Sequence, residues 1–342
     1  MVSHELDVVV TRGDAVESYH RVHAAVVDSR ERTIGMAGDP GLVTFWRSCA
    51  KPFQVMPLLE SGGFDKYGWG DEQLALACAS HGGEPEHVAI VEAMLQTLGL
   101  EEGDLACGPH EPLSARGAKI ARECGARIRR THNNCSGKHT AMLALALHRG
   151  WSIEGYERGD HCVQQAMLNQ VALWTGLRPS QIEIAIDGCG AAVFGLSLER
   201  MARAYARFGV ASVRGEEIPA RVARAMTAHP FLVGGTERLD SIIIEETSGR
   251  VITKVGAEGV HSGVILSSGI GFALKAEDGN PRAQYPALIR LLQELDALPQ
   301  RLPESLAEYL RRPVRNSRGE IVGETYVKIA KRRSGPALAA SN

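Results

Sequence analysis

The feature that most constrains this chain is the segment 132–139, which reads HNNCSGKH. It places a thiol, a hydroxyl, an amine and two imidazoles around one glycine. A cluster of polar and titratable side chains of this kind is unusual in a plain hydrophobic core. Two further segments have the same character: RSCAKPFQ at 47–54 and ASHGGEP at 79–85. We therefore expect one reactive site assembled from several parts of the chain, which is typical of an enzyme.

Composition narrows the class of partner. The 342 residues include 40 acidic and 38 basic side chains, so the chain lacks the strong positive charge of proteins that bind nucleic acid or anionic membranes. No apolar run approaches the roughly 18–20 residues that span a bilayer. The first residues lack the basic and apolar regions of a secretory signal. A small-molecule partner and a cytoplasmic location are expected.

The distribution of apolar residues predicts an α+β fold. Strand-like segments are expected near both ends of the chain, at 6–11, 20–27, 32–37, 182–186, 242–246, 251–255, 263–266 and 271–276. From residue 49 the spacing becomes helical. We expect a single catalytic unit, 1–342, with a sheet subdomain at about 1–45 plus 182–342 and a helix-rich subdomain at about 46–181. The N- and C-terminal strands are expected to share one antiparallel sheet. Residues 332–342 are expected to fray.

A serine and a lysine three positions apart form the first candidate catalytic pair. On a helix, Ser48 and Lys51 would lie one turn apart on one face, where the lysine amine could act as a base for the serine. A chain of this length contains on the order of one such spacing by chance. Lys254, with Gly256 two positions later, matches the second lysine of serine β-lactamases, although a lysine at a strand end is often simply solvated.

Ser80 follows an apolar helix and precedes the glycines of the segment SHGGE. This position, where a buried element meets a glycine-rich loop, suits a functional hydroxyl. A plain helix C-cap with a glycine at positive φ also explains the pattern. The two interpretations do not exclude each other.

Two cysteines lie in polar, glycine-rich turns. Cys135 and Cys189 could bind zinc, with Lys138, a histidine or water completing the tetrahedron. Lysine would have to bind as the neutral amine, which requires a strongly lowered pKa. A reducible disulfide or two reactive thiols are the alternatives. The other cysteines considered are expected to be small buried hydrophobes: Cys78, Cys107, Cys124 and Cys162.

Two segments resemble nucleotide-binding motifs but lack residues that those motifs require. Before Gly137-Lys138, the first glycine of a P-loop is replaced by His132, and His139 stands where serine or threonine belongs. After the strand at 182–186, Val193 takes the place of the third glycine of a dinucleotide-binding fingerprint. Both comparisons disfavour nucleotide binding.

Together, five segments resemble the Rhizobium etli-type, or class 3, L-asparaginases: SCAKPFQ at 48–54, SHGGEP at 80–85, NNCSGKH at 133–139, DGCG at 187–190 and KVGAEG at 254–259. The resemblance runs through essentially the whole chain. It implies a fold similar to serine β-lactamases and glutaminases, and a homodimer. It also implies two Ser-Lys tandems, Ser48 with Lys51 and Ser80 with Lys254. Finally, it implies one zinc ion per chain bound by Cys135, Lys138 and Cys189, with Asp187 close by.

The expected reaction is hydrolysis of L-asparagine to L-aspartate and ammonia through an acyl-enzyme. Ser48 attacks and Lys51 takes its proton, while Ser80 and Lys254 relay protons; the sequence leaves open which serine attacks first. Candidates for binding the α-carboxylate and α-ammonium of the substrate are the zinc site, Arg47, His81 and Glu258. Two alternatives remain at this stage: a glutaminase or penicillin-recognising hydrolase on the same scaffold, and a zinc or thiol sensor.

Overall fold

The computed structural model describes residues 1–328. The strands are β1 Val2–Ser3, β2 Val8–Arg12, β3 Ala15–His20, β4 Val22–Val27, β5 Thr33–Ala37, β6 Val43–Phe45, β7 Glu183–Ile186, β8 Ala192–Ser197, β9 Val251–Val255, β10 Val260–Ile265, β11 Ile270–Ala276, β12 Arg311–Arg315 and β13 Ile321–Val327. The expectation for residues 332–342 lies outside the described residues.

Helices fill the middle of the chain and recur between the later strands. They are α1 Lys51–Gln54, α2 Met56–Glu60, α3 Gly63–Lys66, α4 Asp71–Ala77, α5 Pro85–Leu98, α6 Ala115–Glu123, α7 Ser136–Arg149, α8 Cys162–Thr175, α9 Leu198–Val213, α10 Glu217–Ala228, α11 Pro230–Val233, α12 Leu239–Glu246, α13 Pro281–Glu294 and α14 Glu304–Leu310. Short 3-10 turns include Arg47–Ala50. No helix within residues 1–328 is long and apolar enough to cross a membrane.

The largest sheet combines both ends of the chain. Its strand order is β1-β5-β4-β11-β10-β9, and all neighbours are antiparallel except the short pair β1 and β5. The N-terminal β4 pairs with the C-terminal β11 from Val27↔Gly271 to Val22↔Ala276. The prediction of an α+β fold with an antiparallel sheet built from both ends of the chain is confirmed.

Both faces of this sheet are covered, which explains the uninterrupted apolar character of β4. Successive side chains of a strand point to opposite faces. Ala25 and Val27 belong to the buried cluster that includes α9, whereas Ala24 and Val26 belong to the cluster that includes α13. All four side chains are fully buried. A strand that is buried on both faces shows no polar alternation.

One hydrophobic core joins the helix-rich segment to the sheet. The cluster that contains Val27 and Ala273 of the sheet also contains Phe53, Leu76 and Met142 of the middle helices. Because these residues share one core, helices α1, α4 and α7 are held at fixed positions relative to the sheet. The site described below depends on this arrangement.

Two smaller sheets complete the fold, and the sequence reading failed for part of them. The sheets have the orders β6-β8-β7 and β12-β13-β2-β3. The hairpin of β12 and β13 lies in a stretch for which no strand was predicted. Most side chains of β12 are exposed and those of β13 are mainly half-buried, so the hairpin carries little apolar alternation from which a strand could be predicted.

The predicted strand at 242–246 is wrong, because these residues form part of helix α12. Leu239, Ile243 and Ile244 are buried, while Glu245 and Glu246 are exposed, which is helical spacing. A run of three isoleucines is too short for its period to separate the two structures. Two cysteines that were expected to be buried, Cys124 and Cys162, are exposed.

Close packing of α9 on the sheet requires a glycine at position 271. A Cβ added to Gly271 would lie 2.1 Å from the carbonyl oxygen of Ala202 and 2.4 Å from the backbone nitrogen of Ala206. Both atoms belong to the backbone of α9, so neither can move without shifting the helix. A larger residue at this position would therefore push α9 away from the sheet.

Gly271→Ala is therefore expected to lower the free energy of unfolding by about 1–3 kcal/mol, the usual cost of overpacking a core. Gly103→Ala is the matched control, because a Cβ there meets nothing within 4 Å. The control should change the unfolding free energy by no more than about 0.5 kcal/mol. Urea unfolding followed by circular dichroism measures both, and equal stability of the two variants would contradict the packing argument.

Candidate active site

The turn that carries Ser48 leads directly into the helix of Lys51. Ser48 lies in the 3-10 turn Arg47–Ala50, and the backbone N–H of Lys51 donates to its carbonyl oxygen. The Lys51 side chain is almost fully buried. Its Nζ donates to the carbonyl oxygen of Ala79, to that of Asn134 at 3.2 Å and to Oγ of Ser80 at 3.2 Å.

Lys254 reaches the same hydroxyl from the sheet. It lies on β9 and is fully buried. Its Nζ donates to Oγ of Ser80 at 2.8 Å and to the carbonyl oxygen of Val255 at 3.1 Å. Ser80 itself is 3% exposed and is anchored by its N–H to the carbonyl oxygen of Val233. The structure therefore brings Lys51, Ser80 and Lys254 together around one oxygen atom.

This geometry favours one neutral amine in the pair. Burial lowers the pKa of Lys254 to about 8. The positive charge of Lys51 also lowers this pKa, whereas the negative charge of Asp240 opposes the shift. Two ammonium groups on one hydroxyl repel each other, so losing one proton relieves the repulsion. A neutral lysine amine beside a serine hydroxyl can accept its proton.

The expected hydrogen bond between Ser48 and Lys51 is not formed. Within residues 1–328, the Ser48 side chain makes no hydrogen bond, and Lys51 is directed to Ser80 instead. Ser48 is partly exposed, unlike Ser80. Catalytic hydrogen bonds often tighten only when substrate is bound. The catalytic role of Ser48 stays a prediction.

A buried carboxylate that the sequence analysis missed lies beside Lys254. Asp240, in the first turn of α12, is 2% exposed and lies 3.6 Å from Nζ of Lys254. It accepts hydrogen bonds from the Thr253 hydroxyl at 3.0 Å, the Val255 N–H at 2.9 Å and Nε2 of His261 at 2.9 Å. The available signal was an acidic residue two positions before three isoleucines, in LDSIIIEE, but the strand predicted for 242–246 obscured it.

His81 is committed to structural contacts on both ring nitrogens. Its Nδ1 accepts the N–H of Gly83 at 3.2 Å, so Nε2 carries the proton and donates to Oγ of Ser136 at 2.9 Å. Burial lowers the pKa of His81 well below its usual value, which keeps the ring neutral. In this arrangement His81 joins the loop after Ser80 to helix α7 and presents no free nitrogen to a substrate.

Arg47 is also already paired. Its Nε donates to Oδ1 of Asp187 at 2.7 Å, and the N–H of Gly188 donates to the same oxygen at 2.7 Å. Burial alone would raise the pKa of Asp187, but Lys138 and Arg47 outweigh burial and lower it. The ion pair connects the turn of Ser48 to the turn of Cys189.

Glu258 is not brought into the lysine and serine cluster. It is exposed in the turn between β9 and β10, with φ at +59°, and its charged neighbour is Lys275. A Cβ added to Gly279 would lie 2.6 Å from its Oε2. In this arrangement Glu258 faces Gly279 and Lys275.

The predicted zinc ligands do meet in space. Nζ of Lys138 lies 3.1 Å from Sγ of Cys189, and the side chains of Cys135 and Cys189 are hydrogen-bonded. All three residues are buried. Within residues 1–328 no group of three or more histidine, cysteine or acidic side chains that could hold a metal ion is found, so three protein ligands are available here only if Lys138 is one of them.

The ionisation of these groups is strongly coupled. The hydrogen bond from Cys135 lowers the pKa of Cys189, whereas the same bond and burial raise the pKa of Cys135. Burial acts to lower the pKa of Lys138, but the charge interactions with Cys189 and Cys135 outweigh it and raise the pKa. Thiolates and nitrogen donors suit zinc. The donor set fits such an ion provided that Lys138 releases its proton.

One protein family matches nearly the whole chain. The family is described as L-asparaginase II, and the match covers residues 8–327. No curated protein matches the sequence. The resemblance noted in the sequence analysis is thus confirmed at the level of the family.

Solved structures show only distant similarity. Mglu in its glutamate form is 15% identical, with a TM-score of 0.46 over 81% of this chain and 61% of that chain, so this chain spans less than two thirds of its length. A beta-lactamase from Mycobacterium bovis is 12% identical, with a TM-score of 0.38 over 80% and 94%. A Bacillus glutaminase is 14% identical, with a TM-score of 0.37 over 81% and 91%. The family assignment depends on the sequence match alone.

The position of Lys254 leads to a direct spectroscopic prediction. Its ammonium should lose a proton with a pKa of about 8, because burial disfavours the charged form. NMR of protein labelled with 13C in the lysine side chains measures the titration, and Lys254→Met identifies the resonance by its loss. A Lys254 resonance that titrates near the ordinary value of 10.5 would contradict the described environment.

Proposed function

The chain belongs to the L-asparaginase II family, and we propose that it is an amidohydrolase that converts L-asparagine to L-aspartate and ammonia through an acyl-enzyme. The observation that carries this proposal is the hydroxyl of Ser80 between two buried lysines, at 2.8 Å from Lys254 and 3.2 Å from Lys51. Ser48 lies three positions before Lys51 and is accessible. Paired lysines and serines of this kind supply both a nucleophile and a route for its proton.

In the proposed reaction, Ser48 is the nucleophile because its hydroxyl is accessible and not bound to another side chain. Its Oγ forms a bond to the amide carbon, and its proton passes to Lys51 while Lys51 gives a proton through Ser80 to the neutral amine of Lys254. The C–N bond then breaks, and Ser80 protonates the departing nitrogen while Lys254 or Lys51 resupplies Ser80. Water completes the cycle by hydrolysing the acyl-enzyme along the same proton route.

The almost complete burial of Ser80 supports its assignment to proton relay. A hydroxyl can accept one hydrogen bond while donating another, so it can pass a proton between two amines. Ser80 accepts a hydrogen bond from each lysine, whereas the Ser48 side chain is hydrogen-bonded to neither. This division of roles also gives the second lysine a purpose that a single Ser-Lys pair would not need.

The substrate assignment and the nucleophile are tested together. With L-asparagine, Ser48→Ala should lower kcat by about 10³-fold or more, because the nucleophile is removed. Ser152→Ala, at an exposed loop position, is the matched control and should keep the wild-type rate. Ammonia release measures all three proteins, with folding checked by circular dichroism.

Two outcomes would change this assignment. Near-wild-type turnover by Ser48→Ala would exclude Ser48 as the nucleophile. Equal kcat/KM on asparagine and glutamine would move the function to a general amidohydrolase, because a site that anchors the α-groups should place the longer amide away from the nucleophile.

We also propose that one zinc ion binds to Cys135, Lys138 and Cys189 beside the active site. The support is the contact between Lys138 and Cys189 and the burial of all three donors. When bound, zinc would supply a fixed positive charge next to the substrate pocket. Asp187 would remain close to that charge, held in place by Arg47 at 2.7 Å.

Zinc binding should release protons, because Lys138 and Cys135 must both lose theirs before they can act as ligands. Protein purified without chelators should contain about one zinc per chain by elemental analysis, and Cys189→Ser should lose it. Cys162→Ser, which changes an exposed cysteine, is the control that keeps the metal. Titration of metal-free protein with zinc in weak buffer should acidify the solution. Equal zinc content in Cys189→Ser and Cys162→Ser would contradict the proposed ligand set.

The homodimer and the cytoplasmic location expected from the sequence stay predictions. The homodimer is implied by the resemblance, and the location was expected from the character of the first residues. A reducing compartment would favour thiolate ligands over a disulfide between Cys135 and Cys189. The active-site proposal itself uses residues of one chain only.

A further inference from the structure

We propose that Asp240 is the positioning residue that holds the amine of Lys254 against Ser80 and governs its proton transfer. This inference rests on the proposed function, because it assigns a role within that reaction. Asp240 does not touch Ser80. It would act through Lys254, which does.

The carboxylate of Asp240 contacts three consecutive residues of β9. Oδ1 accepts the hydroxyl of Thr253, Oδ2 accepts the N–H of Val255, and Oδ2 lies 3.6 Å from Nζ of Lys254. These contacts hold the side chain of Thr253 before Lys254, the backbone of Val255 after it, and the amine of Lys254 itself. Together they limit the positions that the long side chain of Lys254 can adopt, and they keep its Nζ 2.8 Å from Oγ of Ser80.

The buried charge of Asp240 is maintained by its surroundings. It accepts hydrogen bonds from Thr253, Val255 and His261, and it lies in the first turn of α12, where the helix dipole favours an anion. Burial alone would raise the pKa of Asp240, but Lys254 and His261 outweigh it and lower the pKa. An ionised carboxylate only accepts hydrogen bonds, so Nε2 of His261 is the donor.

Asp240 and Lys51 act on Lys254 in opposite directions. The carboxylate favours the ammonium form of Lys254, while the ammonium of Lys51 favours the neutral amine. The acid limb of the pH–rate profile should therefore report the balance of these two charges. Removing the carboxylate should let Lys254 lose its proton at lower pH.

Other titratable or charged groups face this pair from several elements. They are Cys49, Cys78, Tyr205, Arg238, His261 and Tyr285. Burial raises the pKa of Cys49 and of Cys78 to about 12, and it raises the pKa of Tyr205 and of Tyr285 as well. Arg238 adds a positive charge that lowers the pKa of Lys254. His261 needs its own control.

The experiment compares the pH dependence of kcat/KM for L-asparagine in the wild type, Asp240→Asn, His261→Gln and Thr253→Val. In Asp240→Asn, the midpoint of the acid limb should move down by about one pH unit or more, and kcat on the plateau should fall by about tenfold or more because the amine is no longer held in place. His261→Gln and Thr253→Val keep the carboxylate, so both should keep the wild-type midpoint.

An Asp240→Asn variant that loses thermal stability but keeps the wild-type midpoint would overturn the proposal, because that is the signature of a purely structural residue. A shift of the same size in His261→Gln would assign the acid limb to the histidine and would also overturn it. Loss of kcat together with the downward shift in Asp240→Asn alone would support it.

A measurement on the wild-type protein covers the case in which Asp240→Asn does not fold. In protein labelled with 13C at aspartate, the carboxylate carbon of Asp240 should show an inflection at the pH at which Lys254 titrates. No inflection at that pH would overturn the coupling. This readout needs no turnover, so it separates failure of the Asp240 proposal from failure of the proposed asparaginase reaction.

Discussion

The arrangement on which the rest of the site depends is the burial of two lysine amines against one serine hydroxyl. Removing two cations from water is costly unless each finds partners. Lys51 is compensated by the carbonyl oxygens of Ala79 and Asn134, and Lys254 by the nearby carboxylate of Asp240. The same burial makes one of these amines easy to deprotonate, which is what a base for serine requires at moderate pH.

Several contacts lock the turn of Ser48 onto the sheet. The indole N–H of Trp46 donates to Oγ of Ser262 at 3.1 Å, and Sγ of Cys49 donates to the carbonyl oxygen of Lys254 at 2.9 Å. The hydroxyl of Tyr205 on α9 donates to the carbonyl oxygen of Cys49 at 2.9 Å. The turn is therefore held by β9, β10 and α9 together. Rigid support of this kind is needed to keep a nucleophile in reacting geometry.

A second connection joins this turn to the proposed metal ligands. The ion pair between Arg47 and Asp187 links the backbone beside Ser48 to the turn that carries Cys189. Arg47 adopts a positive φ of 53°, which is uncommon for a residue with a side chain and is held here by its surroundings. A change in the turn of Cys189 would thus reach Ser48, the proposed nucleophile, through the side chains of Asp187 and Arg47.

The α+β class, the antiparallel sheet shared by strands from both ends, the family and the segments that carry reactive side chains could all be predicted from the sequence. Those properties follow from local periodicity and from short motifs, which can be recognised without knowing which residues become neighbours in space. The sequence could not determine that Lys51 bonds Ser80 and leaves Ser48 unpaired, or that Arg47 and His81 are occupied by Asp187 and Ser136.

Asp240 and the true nature of 242–246 were equally out of reach, because three isoleucines suit a buried strand and a buried helix alike. Only the packing of α12 beside β9 decides that the run is helical and that its acidic residue faces Lys254. Partner choice among buried polar groups depends on distances between segments far apart in the chain. Those distances are set by the shared core, and no local pattern encodes them.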